Sequence, residues 1–182
     1  GDVSLEQIRR DILEHVVRQI VPEIADADVI INGTGNFVQG GFEADAGTVG
    51  RKLSVDNYGP LVEIGGGAYS GKDPSKVDRS AAYMCRLVAK SIVAGGHAPE
   101  ALVKLGYAIG VAEPTFVSVQ TPLPEEQALA FEALVVSKFD FRPKAMIERL
   151  GLRTPQGWCY ADTSASGHYG DDRYPWEKVV AI

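Results

Sequence analysis

The stretch Gly65-Gly66-Gly67-Ala68-Tyr69-Ser70-Gly71-Lys72-Asp73-Pro74 constrains the fold more than any other part of the sequence. Glycines packed this densely weaken a helix or strand interior, so they force a loop. Asp73 has the side chain of an N-cap, Pro74 suits a first helical turn, and Gly95-Gly96 supply the stop of the helix that follows. A strand end, a glycine loop and a helix start thus come in succession. Such an arrangement turns backbone N–H groups and a partial positive charge towards an anion. Lys72 lies just ahead of the first turn, and Lys76 and Arg79 share a face of it, so the three can converge on one polyphosphate. Arg51 and Lys52 add two more cations a short way upstream.

Gly66 to Lys72 satisfies the GxxxxGK pattern of a nucleotide-binding P-loop, but Asp73 stands where that motif needs Ser or Thr to hold magnesium. An acid there would also repel phosphate, so the loop is read as an anion cradle of another kind. The net charge of −6 excludes a broad nucleic-acid surface, which needs a basic face. An acidic chain with one local basic site suits a small polyanion.

The remaining pattern alternates helices with turn-linked strands. Leu5, Ile8, Ile12, Val16 and Ile20 repeat at helical spacing behind a Ser4/Gln7 capping box, and Pro22 ends the run. Val29–Ile31 reads as a short strand, and Lys52–Val55 with Leu61–Ile64 as a hairpin around Asn57-Tyr58-Gly59-Pro60. Val103 to Val111 alternates strictly, as a half-buried strand does, and Phe116–Gln120 makes another. Pro124 opens a helix running to about Phe139, Pro143 opens a shorter one ending at Gly151, and the last thirty or so residues read as irregular. Short turns between strands imply an α+β fold with mixed or antiparallel sheets covered by helices.

Composition narrows the class further. At 182 residues, 45% apolar and 23% charged, the chain is long enough for a sizeable core and reads as globular. No apolar run is long enough to span a membrane, and the start does not read as a leader. Cys85 and Cys159 are too few for a disulfide framework and read as free, buried thiols, so a cytoplasmic location is expected.

Several segments together resemble one family. Gly65 through Arg79 is close to identical to the glycine-rich signature of S-adenosylmethionine synthetases. Asp45-Ala46-Gly47-Thr48-Val49-Gly50-Arg51-Lys52 resembles the family's DxGxTGRK segment, and Asn32-Gly33-Thr34-Gly35-Asn36-Phe37-Val38 its NPTGxF turn. Tyr107 through Thr115, Gly167-His168-Tyr169-Gly170 and Trp176-Glu177 follow in family order. The resemblance covers essentially the whole chain and marks it as the C-terminal half of such a protein.

That resemblance implies synthesis of S-adenosylmethionine: methionine sulfur attacks the ribose C5′ of ATP, and the triphosphate leaves and is cleaved. Arg51, Lys52 and Lys72 would contact the triphosphate as the catalytic cations. Asn36, Phe37, Asp45 and Ala68 would complete the ATP site, with Phe37 stacking on adenine. Asp45 and Lys76 would meet methionine, and Asp78 would lie near a metal. Mg²⁺ and K⁺ are implied as cofactors, ATP and methionine as partners, and assembly as a homo-oligomer or with a separate N-terminal half. Residues 1–40 would end the family's first domain, 41–80 would belong to the central one, and 81–182 would form the C-terminal one. Asn36, Gly33 and Ile64 depart from the family's usual Arg, Pro and His. The family's catalytic His, its magnesium- and potassium-binding acids and its gate loop belong to a first half whose motifs do not occur here, and His15, His97 and His168 receive no catalytic or metal role. The alternative is a truncated, non-catalytic relative that binds nucleotide or polyphosphate, or serves as a structural subunit.

Overall fold

The structure, a computed structural model, describes residues 3–182. Gly1 and Asp2, part of the start read above as carrying no leader, lie outside the described residues. The chain divides into two compact units, one ending at Thr48 and one spanning Val49–Ile182.

In the first unit, α1 (Leu5–Ile12) continues through a π-helical stretch, Leu13–Val17, into the closing turn α2 (Arg18–Ile20). Ser4 caps it by accepting the Gln7 N–H at 3.2 Å. The expected capping box is only half made, because the Gln7 amide donates to Asp11 Oδ1 at 2.6 Å instead. Val29–Ile31 forms no strand. A 3₁₀ turn, Asp26–Asp28, precedes it, Asn32 adopts φ 48°, and Arg9 Nε takes the Ile31 carbonyl at 2.9 Å that a partner strand would need. The unit ends in the short α3 (Gly41–Ala44).

The second unit carries the core. The expected hairpin between Lys52 and Ile64 is absent: Leu53–Asp56 is a single helical turn, α4. Asn57 donates to the Leu53 carbonyl at 2.7 Å, and Gly59, at φ +63°, reaches back to Ser54 O at 2.7 Å. Those local bonds satisfy backbone that no neighbouring strand is there to pair. The long helix α5 runs Val77–Ala94, three residues later than Asp73 and Pro74 suggest. Asp73 spends its carboxylate on the Ser75 N–H at 2.8 Å, closing a turn ahead of the helix, and Lys76 takes the cap position. The Gly95-Gly96 stop holds, with Gly96 at φ +74°.

β1 (Leu102–Gly106) and β2 (Phe116–Gln120) pair antiparallel, from Leu102 opposite Gln120 to Gly106 opposite Phe116. The expected strand to Val111 stops early at Gly106. A side chain there would collide with the Phe116 ring, and the Gly106 carbonyl accepts from Thr115 N at 2.7 Å, so the chain turns away. Helix α6 (Glu125–Lys138) packs on β2, where Glu132 accepts the Val119 N–H at 2.7 Å. Helix α7 (Pro143–Arg149) packs on α5. The fold is therefore α+β with an antiparallel sheet and helices against it.

The C-terminal residues are more ordered than expected. Helix α8 (Tyr160–Ser166) is capped by Cys159, whose N–H donates to Asp162 at 2.9 Å, and a 3₁₀ turn, Pro175–Glu177, packs against α5. Trp176, 0% exposed, stacks on Tyr83 of α5 with ring centres 3.8 Å apart, and Trp158 and Tyr174 close around it. Glu177 is buried beside it and holds Arg86 in a two-pronged bond, 3.0 Å on each arm. Lys90 at 2.8 Å and the Gly170 N–H at 2.9 Å complete its shell. Burial pushes its carboxyl upward, but the bonds from Arg86, Lys90 and Gly170 outweigh that and hold it below the usual glutamate value. Both cysteines are free; Cys85 is half-buried against the core with its thiol pushed up to about 12 by burial, whereas Cys159 is exposed rather than buried.

Candidate anion-binding site

Among the described residues no backbone N–H from Gly65 to Gly71 donates a hydrogen bond, and two close approaches fix the loop's shape. Gly50, at φ +78°, leaves only 3.0 Å between the site of a side-chain carbon and the Ala68 methyl, which sets Arg51 and Lys52 beside the loop. Asp78, in the first turn of α5, lies over Gly67 so closely that a methyl there would fall 2.2 Å from its carboxyl carbon. Only glycine admits that contact. Through it Asp78 reaches Lys72 Nζ at 2.7 Å.

The cations divide into two kinds. Arg79 is 3% exposed and does not join the others at an anion site. Its Nε donates to Tyr83 OH at 3.1 Å, Nη1 to the Lys72 carbonyl at 2.9 Å and Nη2 to Thr163 at 3.0 Å, and its guanidinium lies 4.3 Å from the Tyr160 ring centre. Helical spacing put Arg79 with Lys76, but the closing segment packs over that side of α5 and encloses it. Arg79 therefore acts from behind, pinning the backbone of Lys72. Lys72 is half-buried and Lys76 exposed, the latter 3.3 Å from Asp73. Bonds from the Ser75 side chain and backbone and from Lys76 hold Asp73 down at about 2, so it stays anionic. Exposed pairs of this sort contribute little and can be exchanged for a polyanion. Among the described residues, no hydrogen bond or ion pair engages the side chains of Arg51 or Lys52, both exposed.

Asn36, Phe37 and Asp45 belong to the first unit. Phe37, 78% exposed, and Asp45 line one open concavity of about 370 Å³ with Gly41, Phe42 and Ala44, and Asp45 accepts the Gly47 N–H at 2.9 Å. Asn36 is exposed nearby in sequence and does not line it. A larger cavity of about 590 Å³ lies between α5, β1 and the loop at Tyr58–Gly67. Of the expected site residues only Asp78 lines it, and with Glu63, Arg86 and Lys104 it makes the charges of the lining balance in sign.

A metal fits this chain poorly. Among the described residues no three His, Cys, Asp or Glu side chains converge, and Asp78, the one expected ligand, is already engaged by Lys72. Sequence reasoning left His168 without a role, yet it is 3% exposed and bonded to the loop: its Nε2 lies 3.3 Å from Ser70 Oγ and its Nδ1 2.8 Å from Tyr83 OH. The signal available was its place in the Gly167–Gly170 motif, which says nothing of what it touches.

A glycine loop framed by lysines, with a buried arginine fixing its backbone, is the centre of the candidate site, and comparison with known proteins gives the chain's family. The S-adenosylmethionine synthetase C-terminal domain matches residues 39–178, and the chain belongs to that family. The S-adenosylmethionine synthase of Chlorobium phaeobacteroides is 47% identical over 96% of this chain and 45% of its own length. That of Petrotoga mobilis is 46% identical over 100% of this chain and 46% of its own. A solved structure, an unusual S-adenosylmethionine synthetase from Campylobacter jejuni, superposes with a TM-score of 0.81 at 36% identity, covering 98% of this chain and 48% of that one. The chain thus spans about half the length of the relatives it matches.

Proposed function

We propose that this chain forms the triphosphate-binding wall of a site that makes S-adenosylmethionine from ATP and methionine. The observation that carries the reading is the approach of Gly50 to Ala68, which sets Arg51 and Lys52 beside the loop bearing Lys72. In this reaction the methionine sulfur is the nucleophile, so the protein needs no nucleophilic side chain. The difficulty lies in the negative charge that gathers on the departing triphosphate, and fixed cations stabilise it as it develops. Arg51, Lys52 and Lys72 take that role. Asn36 and Phe37 take the nucleoside, Asp45 takes the nucleoside and the methionine amine, and Lys76 takes methionine. Residues 1–40, 41–80 and 81–182 are parts of three domains, with the missing parts supplied by an N-terminal half or a further subunit. No step is assigned to a metal through this chain's own residues, because its donor set does not make a site.

The test is binding of inorganic tripolyphosphate, followed by titration calorimetry in metal-free buffer. Lys72→Ala is expected to weaken it by about tenfold or more, since a charge-assisted bond is worth roughly 1.5–3 kcal/mol. Binding as tight as in the unaltered chain sinks the proposal. Mixed with ATP, methionine, Mg²⁺ and K⁺, the chain alone is expected to form no S-adenosylmethionine. Product would refute the claim that half of the site is missing, while triphosphate binding without product even when an N-terminal half is added would favour a non-catalytic binder.

A further inference from the structure

The buried contacts behind the glycine loop have a direction. A guanidinium can only donate, so the bond from Arg79 Nε makes the Tyr83 oxygen an acceptor. Tyr83 has one hydrogen of its own, and the acceptor within reach is His168 Nδ1, 2.8 Å away. That nitrogen is therefore unprotonated, and the neutral ring carries its hydrogen on Nε2. This tautomer is assigned from the network. Nε2–H then donates to Ser70 Oγ, 3.3 Å away, and the serine must point its own O–H elsewhere. In this structure the neighbour within reach is Ser164 Oγ, 3.0 Å away and exposed, so the bond is one that an arriving anion can displace.

We propose that Ser70 is an anion-binding hydroxyl of the glycine loop, set to donate by a one-way relay from Arg79 through Tyr83 and His168. The proposal rests on the triphosphate reading and adds a neutral donor to its cations. Arg79, Tyr83 and His168 are positioning residues; only Ser70 meets the ligand. The same guanidinium holds the Lys72 carbonyl at 2.9 Å, so one buried group orients both the serine hydroxyl and the lysine two residues on. The surroundings favour a neutral imidazole. Burial and then the charge of Arg79 lower the His168 pKa from its usual 6.5, with Asp56 opposing them. The Tyr69 ring stands edge-on 4.9 Å away, and Trp176 Nε1 donates to the His168 carbonyl, so neither presents a further charge. A protonated ring would give up the Tyr83 bond and break the relay at its middle.

Two measurements test this. In the ¹⁵N-labelled chain at neutral pH, the His168 imidazole is expected to show the Nε2–H tautomer, and an Nδ1–H or doubly protonated ring overturns the relay. In titrations with inorganic tripolyphosphate, Ser70→Ala is expected to weaken binding about tenfold, as loss of a bond to a charged group does. His168→Leu should lose as much, with no further loss when combined with Ser70→Ala, whereas His168→Gln, which keeps an N–H to offer Ser70, should stay within about threefold of the unaltered chain. Ser70→Ala binding like the unaltered chain while Lys72→Ala fails would overturn this inference and leave the lysine reading standing. If Lys72→Ala also binds normally, or the unaltered chain does not bind tripolyphosphate, both fall.

Discussion

Glu177 and Asp78 show how differently two carboxylates of one domain behave. Glu177 has a folded pKa below its ordinary 4.5, so its stabilisation is fully present above that value and is lost as pH falls through the lower folded value. Acid unfolding followed by circular dichroism should therefore steepen below about pH 4.5, and Glu177→Gln should flatten it. That variant strips charge from a buried site facing two cations that keep some access to water, and a cost of about 2–3 kcal/mol is expected in chemical denaturation. His168 acts in the same direction at higher pH. Its folded pKa lies below 6.5, so its contribution is complete above that value and shrinks on acidification. Asp78 is half exposed, and its pair with Lys72 adds little to stability. It does place a negative charge where an anion would sit. Asp78→Asn should therefore tighten tripolyphosphate binding about two- to fivefold in metal-free buffer, as Coulomb's law at high dielectric implies, with a melting temperature little changed. Weaker binding in that calorimetric titration would mean that the carboxylate serves the ligand instead of competing with it.

Among the elements, helices with their own punctuation were legible and strands without partners were not. Gly95-Gly96, Pro124 and Pro143 mark real helix ends, because glycine and proline act on local backbone whatever surrounds them. Phe116–Gln120 was legible too, since β1 is there to pair with it. Lys52–Val55, Leu61–Ile64 and Val29–Ile31 have strand-like composition, but pairing is a long-range property that composition does not carry. Tyr107, Ile109 and Val111 alternate, yet Ile109 is 107% exposed because the chain leaves the sheet at Gly106. Helix α8 escaped notice because a cysteine occupies its cap, although Asp162 three residues on completes the box. In the site, Lys72 and the loop were legible from sequence spacing, whereas the burial of Arg79 and the bond from His168 depend on contacts 84 and 98 residues away in sequence. The closing 3₁₀ turn matters most to stability: Trp176→Ala should cost about 3–5 kcal/mol, read as a lowered denaturation midpoint, because it removes a fully buried ring stacked on Tyr83.

The whole molecule divides its labour between two units of unequal character. The unit ending at Thr48 contains no buried residue in any of its described helices and leaves Phe37, Val38 and Phe42 exposed, while the unit from Val49 holds the core. Both tryptophans of the chain, Trp158 and Trp176, sit in that second unit with ring centres 5.0 Å apart and nearly perpendicular. Tryptophan emission is consequently a reporter of residues 49–182 alone, blind to the helix at the start of the chain. Heated in parallel, fluorescence and far-ultraviolet dichroism would coincide only if the two units melt together. A helical signal lost while the emission stays blue would reveal the first unit letting go by itself.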